Sequence, residues 1–505
     1  MKKLYFVSFL LGLICSFGQP PFNYILPSLC SLALFFYFLE SLKKTKEVFW
    51  FSFLFGYGYC FYSHHWLTES LLAYGDQFLW LLPIGIFFVP AVFAPYFALT
   101  GYLINKFAKG NILATAFIWL VCEYFRSYGY IESPWLLIGY IWSDSEVIRQ
   151  VVSIFGIWGL SYLTILWAGA IHGIIQTFYG KDYFAIICVA LLSYIICYSY
   201  GYYHLKDSPL TAQKAKVRII QPNIDNNVFS RMNNRQQNLE KLMFLSQDAG
   251  EKEIDYIIWP EGAHEFNVDN QFQMLVKTII PKDGFLIFNS SRTDKNITKY
   301  WNSLFVLNHK GKIVSYYDKM HLVALGEYIP LRRFLPFVNK IAPGSADYSR
   351  GTTQKIINVI PPFLPSICYE DAFPEAPPLR YFTWIVNITN DGWFGTSIGP
   401  YQHLSIAKFR AIEQGVPMIR AALTGISAII DSFGNIVHHA PLLTEAVIDS
   451  TLPPYITDFT YYRTYGNRCL ILLMLFTAYL EKFIQLRIFK PKNIRSNYKI
   501  NLVKH

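Results

Sequence analysis

The sequence predicts a two-part molecule: an α-helical polytopic membrane region joined to an α/β region of mixed strand order. Three observations predict it. Of the 505 residues, 53% are hydrophobic and 15% charged, and mean hydropathy is +0.26, too apolar for an ordinary globular chain. Eight apolar runs are each compatible with a membrane-spanning helix, which needs about 20 residues. One island, about 215–455, holds most of the acidic residues and no run long enough to span.

The runs fall at about 4–19, 25–41, 48–63, 79–104, 112–125, 151–178, 183–200 and 466–484. Met1-Lys2-Lys3 followed by apolar residues looks like a leader. However, no charge interrupts Leu4 to Leu39, and Gly18-Gln19-Pro20-Pro21 splits the stretch in two, so two membrane helices are expected rather than a removed signal. The fifth run ends with Glu123 and Arg126. Ionisable residues there are functional candidates, or else an interfacial pair one helical turn apart; both readings stay open. The expected organisation is a membrane domain of seven helices in 1–200, a linker from Tyr202 to Lys214, an α/β domain at 215–455, an eighth membrane helix at 466–484 and a basic tail at 485–505.

The net charge of +10 is a topology signal, not a nucleic-acid surface, because the basic residues flank apolar runs instead of forming one patch. One set of loops carries Lys2, Lys3, Lys43, Lys44, Lys46, Lys106, Lys109 and Lys181, and the tail adds seven more basic residues from Lys482 to Lys504. The opposite short loops hold only Arg126 and Arg149. Both termini are therefore expected in the cytoplasm, with the island on the outer side.

Within the island, strands are expected at 217–222, 256–259, 285–288, 303–307, 313–317, 384–388, 427–432 and 436–440, with helices at 233–249 and 402–414. Pro260 closes the second strand, and Thr389-Asn390-Asp391-Gly392 is a turn.

The chain has eight cysteines, and seven sit in apolar runs where they read as small hydrophobes. Cys368 is the only cysteine of the island, so no disulfide within it is available: it is idle or it reacts. It follows the apolar stretch Leu364-Pro365-Ser366-Ile367, as Glu261 follows Ile257-Ile258-Trp259-Pro260 and Lys319 follows Tyr316-Tyr317-Asp318. A carboxylate, an ammonium and a thiol at strand ends make a coherent covalent catalyst. A thiol is only a few per cent ionised at neutral pH, Glu261 can take its proton, and Lys319 can stabilise the oxyanion of a tetrahedral intermediate. Taken singly, each has a plainer reading: a capping glutamate, a surface lysine, a packed cysteine. His64-His65 and His438-His439 are adjacent pairs that do not share a face, so no metal site is expected. There is also no CxxC and no phosphate-cradling glycine loop, and no cofactor is expected. Asn289, Asn296 and Asn387 begin glycosylation-like triplets of the kind that arise by chance.

Ile257-Ile258-Trp259-Pro260-Glu261, Tyr317-Asp318-Lys319-Met320-His321-Leu322-Val323 and Ile367-Cys368-Tyr369-Glu370 resemble, in order, the three signatures of the nitrilase (carbon–nitrogen hydrolase) superfamily. More narrowly, nearly the whole chain resembles the apolipoprotein N-acyltransferase family, through Pro134-Trp135-Leu136-Leu137-Ile138-Gly139-Tyr140, Gly326-Glu327-Tyr328-Ile329-Pro330-Leu331, Asn390-Asp391-Gly392-Trp393-Phe394-Gly395 and Gly399-Pro400-Tyr401-Gln402-His403.

The resemblance implies a four-layer αββα sandwich on eight membrane helices, with Glu261 as general base, Lys319 as oxyanion stabiliser and Cys368 as nucleophile. It marks Glu327, Tyr369 and Glu370 as further positions needed for activity: Glu327 to hold Lys319, Glu370 to orient the acceptor amine or support the loop. For each, a structural salt bridge or cap is an equal reading. The implied reaction is ping-pong. A phospholipid donates a fatty acyl chain to Cys368 as a thioester, and the N-terminal amine of a diacylglyceryl-cysteine apolipoprotein accepts it. The implied location is the cell inner membrane, multi-pass, with the catalytic domain periplasmic. The aromatic turns Tyr62 to Trp66 and Trp135 to Trp142 read as an interfacial belt. The chain departs from the family pattern twice. Phe229 stands as the expected apolar contact where a lysine–tryptophan pair is usual, and Ala421 follows Arg420 where asparagine is usual. The rival expectations are a membrane-tethered nitrilase-like amidase using water as acceptor, and a transporter or receptor with a soluble sensing domain.

Overall fold

The computed structural model describes all residues except 130–131, 248–252, 331, 335–345, 376–380 and 489–505, and leaves the side chains of 73–78, 228–229 and 487–488 undescribed. Most of the expected basic tail thus lies outside the described residues.

Every apolar run is helical: α1 (Lys2–Ser16), α2 (Ile25–Ser41), α3 (Thr45–Ser63), α4 (Leu82–Leu103), α5 (Ile112–Tyr128), α6 (Val152–Thr177) and α7 (Phe184–Asp207) in the first part, and the last run near the C-terminus. Four helical stretches, Leu79–Ala108, Ile148–Thr177, Phe184–Asp207 and Arg468–Leu486, are long and apolar enough to cross a membrane by length and composition, and Ile25–Ser41 is a shorter apolar helix. A long 3₁₀ segment, His65–Leu81, leads into α4, and a π turn, Ile104–Ala108, ends it. α6 is the hub: its side chains are buried almost all round, as expected of a helix that packs on every face. It kinks at Gly156, whose φ of +65° suits glycine, and a Cβ there would lie 2.3 Å from the Tyr462 ring.

The island folds into strands β1 (Leu210–Thr211), β2 (Lys216–Gln221), β3 (Tyr256–Ile258), β4 (Phe285–Thr293), β5 (Tyr300–Asn308), β6 (Ile313–Asp318), β7 (Phe363–Ile367), β8 (Trp384–Thr389), β9 (Met418–Ala422), β10 (Ala428–Ile430), β11 (Ile436–His439), β12 (Ala446–Thr451) and β13 (Tyr455–Ile456). Its helices are α8 (Val228–Asn233), α9 (Arg235–Ser246), α10 (Asn270–Val276) and α11 (Gly399–Gln414), followed by α12 (Tyr461–Tyr465) and α13 (Arg468–Ile488). One sheet runs β12-β2-β3-β4-β5-β6, with β2, β3 and β4 parallel at its centre, and the other β11-β10-β9-β8-β7, with β9, β8 and β7 parallel at one edge. The expected linker is not free chain. α7 runs on to Asp207, and β1 pairs antiparallel with β13, closing the island where it leaves and rejoins the helices.

The layers follow from strand alternation. Val217, Ile219, Ile258, Ile287 and Val306 from the first sheet meet Phe363, Ile367, Val386, Ile388 and Ile419 from the second in one buried core. The outer face of the first sheet (Ile220, Ile257, Leu286, Phe288) packs on Leu239, Leu242, Phe272 and Val276 of α9 and α10. The outer face of the second (Leu364, Ile385, Met418) packs on Leu404, Ala407 and Ala411 of α11. This is the αββα sandwich. The opposite face of α11 (Ile406, Phe409, Ile412) belongs to the helical core, so one helix serves both halves.

Candidate active site

The three chemistry-bearing strand ends meet at one edge of the sandwich. β3 is wholly buried and stops before Pro260, which has no N–H to continue a ladder, and this delivers Glu261. Lys319 follows β6 directly, its amide donating to Asn302 O at 2.9 Å. Its ammonium is buried, 3.3 Å from Glu261 Oε1 and 3.1 Å from Glu327, so the expected Glu327–Lys319 pair forms. Val323 N donates to Glu327 Oε2 at 2.9 Å, and Asn390 N, at the end of β8, donates to Glu261 Oε2 at 3.1 Å.

Cys368 begins the turn after β7 with φ +51°, left-handed backbone for a non-glycine residue. Such strain, about 1–3 kcal/mol, persists where surrounding contacts over-determine it and is frequent at functional positions. Here Ile367 N donates to Glu370 Oε2 at 2.8 Å, Asn387 Nδ2 lies 3.5 Å from Cys368 O, and His403 Nε2 lies 3.3 Å from it. Burial first, then the charge of Glu261, hold the thiol above its usual range, with Lys319 opposing. For Lys319 the dominant effect of burial is to lower the pKa, but Glu261 and Glu327 outweigh it and push it up. At neutral pH the site therefore holds a protonated thiol and a fixed ammonium, and ionisation of the thiol requires a base.

Glu370 is a tether. It accepts from Tyr317 Oη (2.8 Å), Met320 N (2.7 Å), His321 N (3.3 Å) and Ile367 N, tying the Lys319 loop to the Cys368 turn. These contacts support the loop. Tyr369 points the other way: its hydroxyl donates to Glu132 O at 2.8 Å and its ring stacks on Trp135 at 6.0 Å and 15°. The side chain of Phe229 lies outside the described residues.

Asn302 and Asn289 carry no catalytic signal in the sequence, yet both build the site. Asn302 Nδ2 donates to Glu261 Oε1 and to Glu327 Oε1, both at 2.8 Å. Asn289 Nδ2 donates to Asn302 Oδ1 at 2.6 Å and its Oδ1 accepts from Gly262 N at 3.0 Å, fixing which way each amide faces. Two of the three asparagines of the glycosylation-like triplets are thus buried structural groups, since Asn387 also accepts from Arg420 at 2.6 Å.

Trp66 and Trp135 are buried, not part of an interfacial belt. Their ring centroids are 4.9 Å apart, Phe394 lies 4.4 Å from Trp66, and both indole N–H groups donate to Gln402 Oε1, at 3.0 and 2.8 Å. The helical half thereby walls one side of the Cys368–Tyr369 turn. Glu123 and Arg126 serve that wall: Glu123 accepts from Ile138 N at 2.9 Å and Arg126 donates to Leu136 O at 3.2 Å. Beneath lies a charged layer in which Arg420 meets Asp391 at 2.7 Å and Asp371 at 3.4 Å. Arg420, then His403, outweigh burial and hold the Asp391 carboxyl well below its usual range.

Residues 11–170 match the family model of the apolipoprotein N-acyltransferase N-terminal domain, and residues 216–461 match that of carbon–nitrogen hydrolases. Among similar proteins named apolipoprotein N-acyltransferase, one from Rhodopseudomonas palustris is 33% identical over 436 residues, 81% of each chain. One from Rickettsia typhi is 30% identical over 498 residues, 96% of this chain and 99% of its own. One from Brucella melitensis is 30% identical over 482 residues, 88% of this chain and 89% of its own. With both halves matched in order and the αββα sandwich in place, this chain belongs to the apolipoprotein N-acyltransferase family.

Proposed function

We propose that the protein is a membrane-bound acyltransferase that moves a fatty acyl chain from a phospholipid to the N-terminal amine of diacylglyceryl-cysteine lipoproteins through a thioester on Cys368. The observation that carries this reading is the strained Cys368 turn, set within the field of a buried Lys319–Glu261 pair and walled by tryptophans of the helical half. Glu261 takes the thiol proton as the sulfur attacks the donor ester. Lys319 stabilises the tetrahedral oxyanion, and Glu261 returns the proton to the departing lysophospholipid oxygen. The neutral amine then attacks the thioester, Glu261 takes its proton, the C–S bond breaks to leave an amide and the Cys368 thiolate, and Glu261 returns the proton to the sulfur. Eight membrane-spanning helices, cytoplasmic termini and a catalytic region on the outer side of an inner membrane fit this chemistry, because both substrates are anchored in the bilayer. The aromatic wall favours acyl transfer over a water-accepting amidase, since a dry site keeps the thioester from hydrolysis.

Incubating the full chain with acyl-labelled phospholipid is expected to leave a hydroxylamine-labile label on Cys368, located by mass spectrometry, and none on Cys368→Ala. Label surviving on that variant would refute the role of this thiol.

A further inference from the structure

A second site lies in the helical half, away from the catalytic cluster. A cavity of about 630 Å³ opens among the end of α2, the start of α3, the π turn after α4, the start of α5 and His172 of α6. Its floor is apolar, with Phe36, Leu39, Val48 and Ile112, and its rim carries Lys43, Lys106, Lys109 and Lys181. The π turn sets Asn105 against the end of α2, its amide donating to Leu39 O at 2.9 Å and Leu42 O at 3.2 Å.

The charges around this cavity do not balance. The one carboxylate lining it, Glu40, is already engaged by Gln176 (2.8 Å), His172 (3.1 Å), Lys181 (3.2 Å) and Tyr183 (3.3 Å). Among the described residues, Lys43, Lys106 and Lys109 have no ion-pair partner; Lys106 meets only the Tyr102 hydroxyl at 3.2 Å and neighbouring rings. Orientation in a membrane requires only that basic residues be on one side. It does not require that two loops more than sixty residues apart bring unpaired lysines to the rim of one apolar cavity. The site is also remote from the thiol. The start of α2 follows Asn23, which bonds Asp144 at 2.7 Å beside α11, whereas Glu40 lies near the other end of a 17-residue helix, about 25 Å away at 1.5 Å per residue.

We propose that this cavity binds an anionic phospholipid of the leaflet that contains the basic loops, its phosphodiester held by Lys43, Lys106 and Lys109 and the start of an acyl chain laid on the apolar floor. Basic pockets between membrane helices on that side are the usual form of such recognition. An inorganic anion would use the lysines and leave the floor without a role. This lipid is not the acyl donor, so the site stands whether or not Cys368 carries a thioester.

The test is native mass spectrometry of the full chain in neutral detergent with phosphatidylglycerol, phosphatidylcholine or inorganic phosphate added in turn. The expected result is one retained phosphatidylglycerol, at least tenfold less retention in Lys43→Gln/Lys106→Gln/Lys109→Gln, and unchanged retention in Lys2→Gln/Lys44→Gln/Lys46→Gln, which removes the same charge without touching the cavity. Recovery of retention in the triple arginine variant would support the site independently of any folding defect. Equal retention in both glutamine variants, equal retention of phosphatidylcholine, or full displacement by millimolar inorganic phosphate would each overturn the proposal.

Discussion

A single amide organises the charges of the site. Asn302 bridges Glu261 and Glu327, and Lys319 lies between the same two carboxylates, so two negative groups are held close without repelling one another apart. Hydrogen bonds to charged groups contribute about 1.5–3 kcal/mol. Asn302→Leu is therefore expected to slow thioester formation roughly 10- to 100-fold in single-turnover assays, with little change in donor KM, because the amide is a positioning residue and touches no substrate. Glu261, Lys319 and Cys368 were legible in the sequence because each follows a strand-like run and stands in a segment that resembles a nitrilase signature. Asn302 and Asn289 were not, because an asparagine within a strand looks the same whether it faces solvent or two carboxylates.

At the scale of elements, α11 bears the heaviest structural duty. It packs on the second sheet with one face and on the membrane helices with the other, and sends Gln402 to accept from two buried indoles. Gln402→Leu leaves the Trp135 N–H without an acceptor, at about 1–3 kcal/mol, while the Trp66 N–H keeps Ser63 O at 2.8 Å. The expected outcome is a lower Tm in detergent, read by tryptophan fluorescence, and slower acyl transfer; Gln402→Glu, which keeps the acceptor, is expected to recover most of both. The helix itself was readable from Gln402 to Gln414. β9 was not, because Arg420 interrupts its apolar pattern; the arginine is buried there only because Asp371, Asp391 and Asn387 surround it. β12 escaped notice for a different reason: it is a half-buried edge strand whose Asp449 pairs with Arg218 of β2 at 2.6 Å.

At the scale of the whole molecule the two halves are interlocked. Ile157 N of α6 donates to Glu413 Oε1 at 2.8 Å, Gln150 Nε2 donates to Phe433 O at 3.0 Å, Tyr462 Oη donates to Pro374 O at 2.7 Å, and Arg350 meets Glu132 at 3.0 Å. Cutting the α/β region free would expose Ile406, Phe409 and Ile412 to water and strip the aromatic wall from the Cys368 turn. A fragment spanning residues 209–457 is accordingly expected to aggregate in gel filtration without detergent and to form no thioester. A monodisperse, labelled fragment would show that the halves are independent.

By itself the sequence determined the division into apolar helices and an α/β island, the positions of most strands, and the three strand ends that carry a carboxylate, an ammonium and a thiol. Run length, alternation and strand-ending prolines are local properties, written over a few residues. Only the tertiary structure decided that Trp66 and Trp135 are buried against Gln402, that Glu370 tethers the Lys319 loop to the Cys368 turn, that two asparagines hold the acid pair, and that lysines from separate loops ring one cavity. Each of these depends on partners that the chain brings together by folding, often more than a hundred positions apart, and no local pattern records which groups will meet or how far from water they will lie.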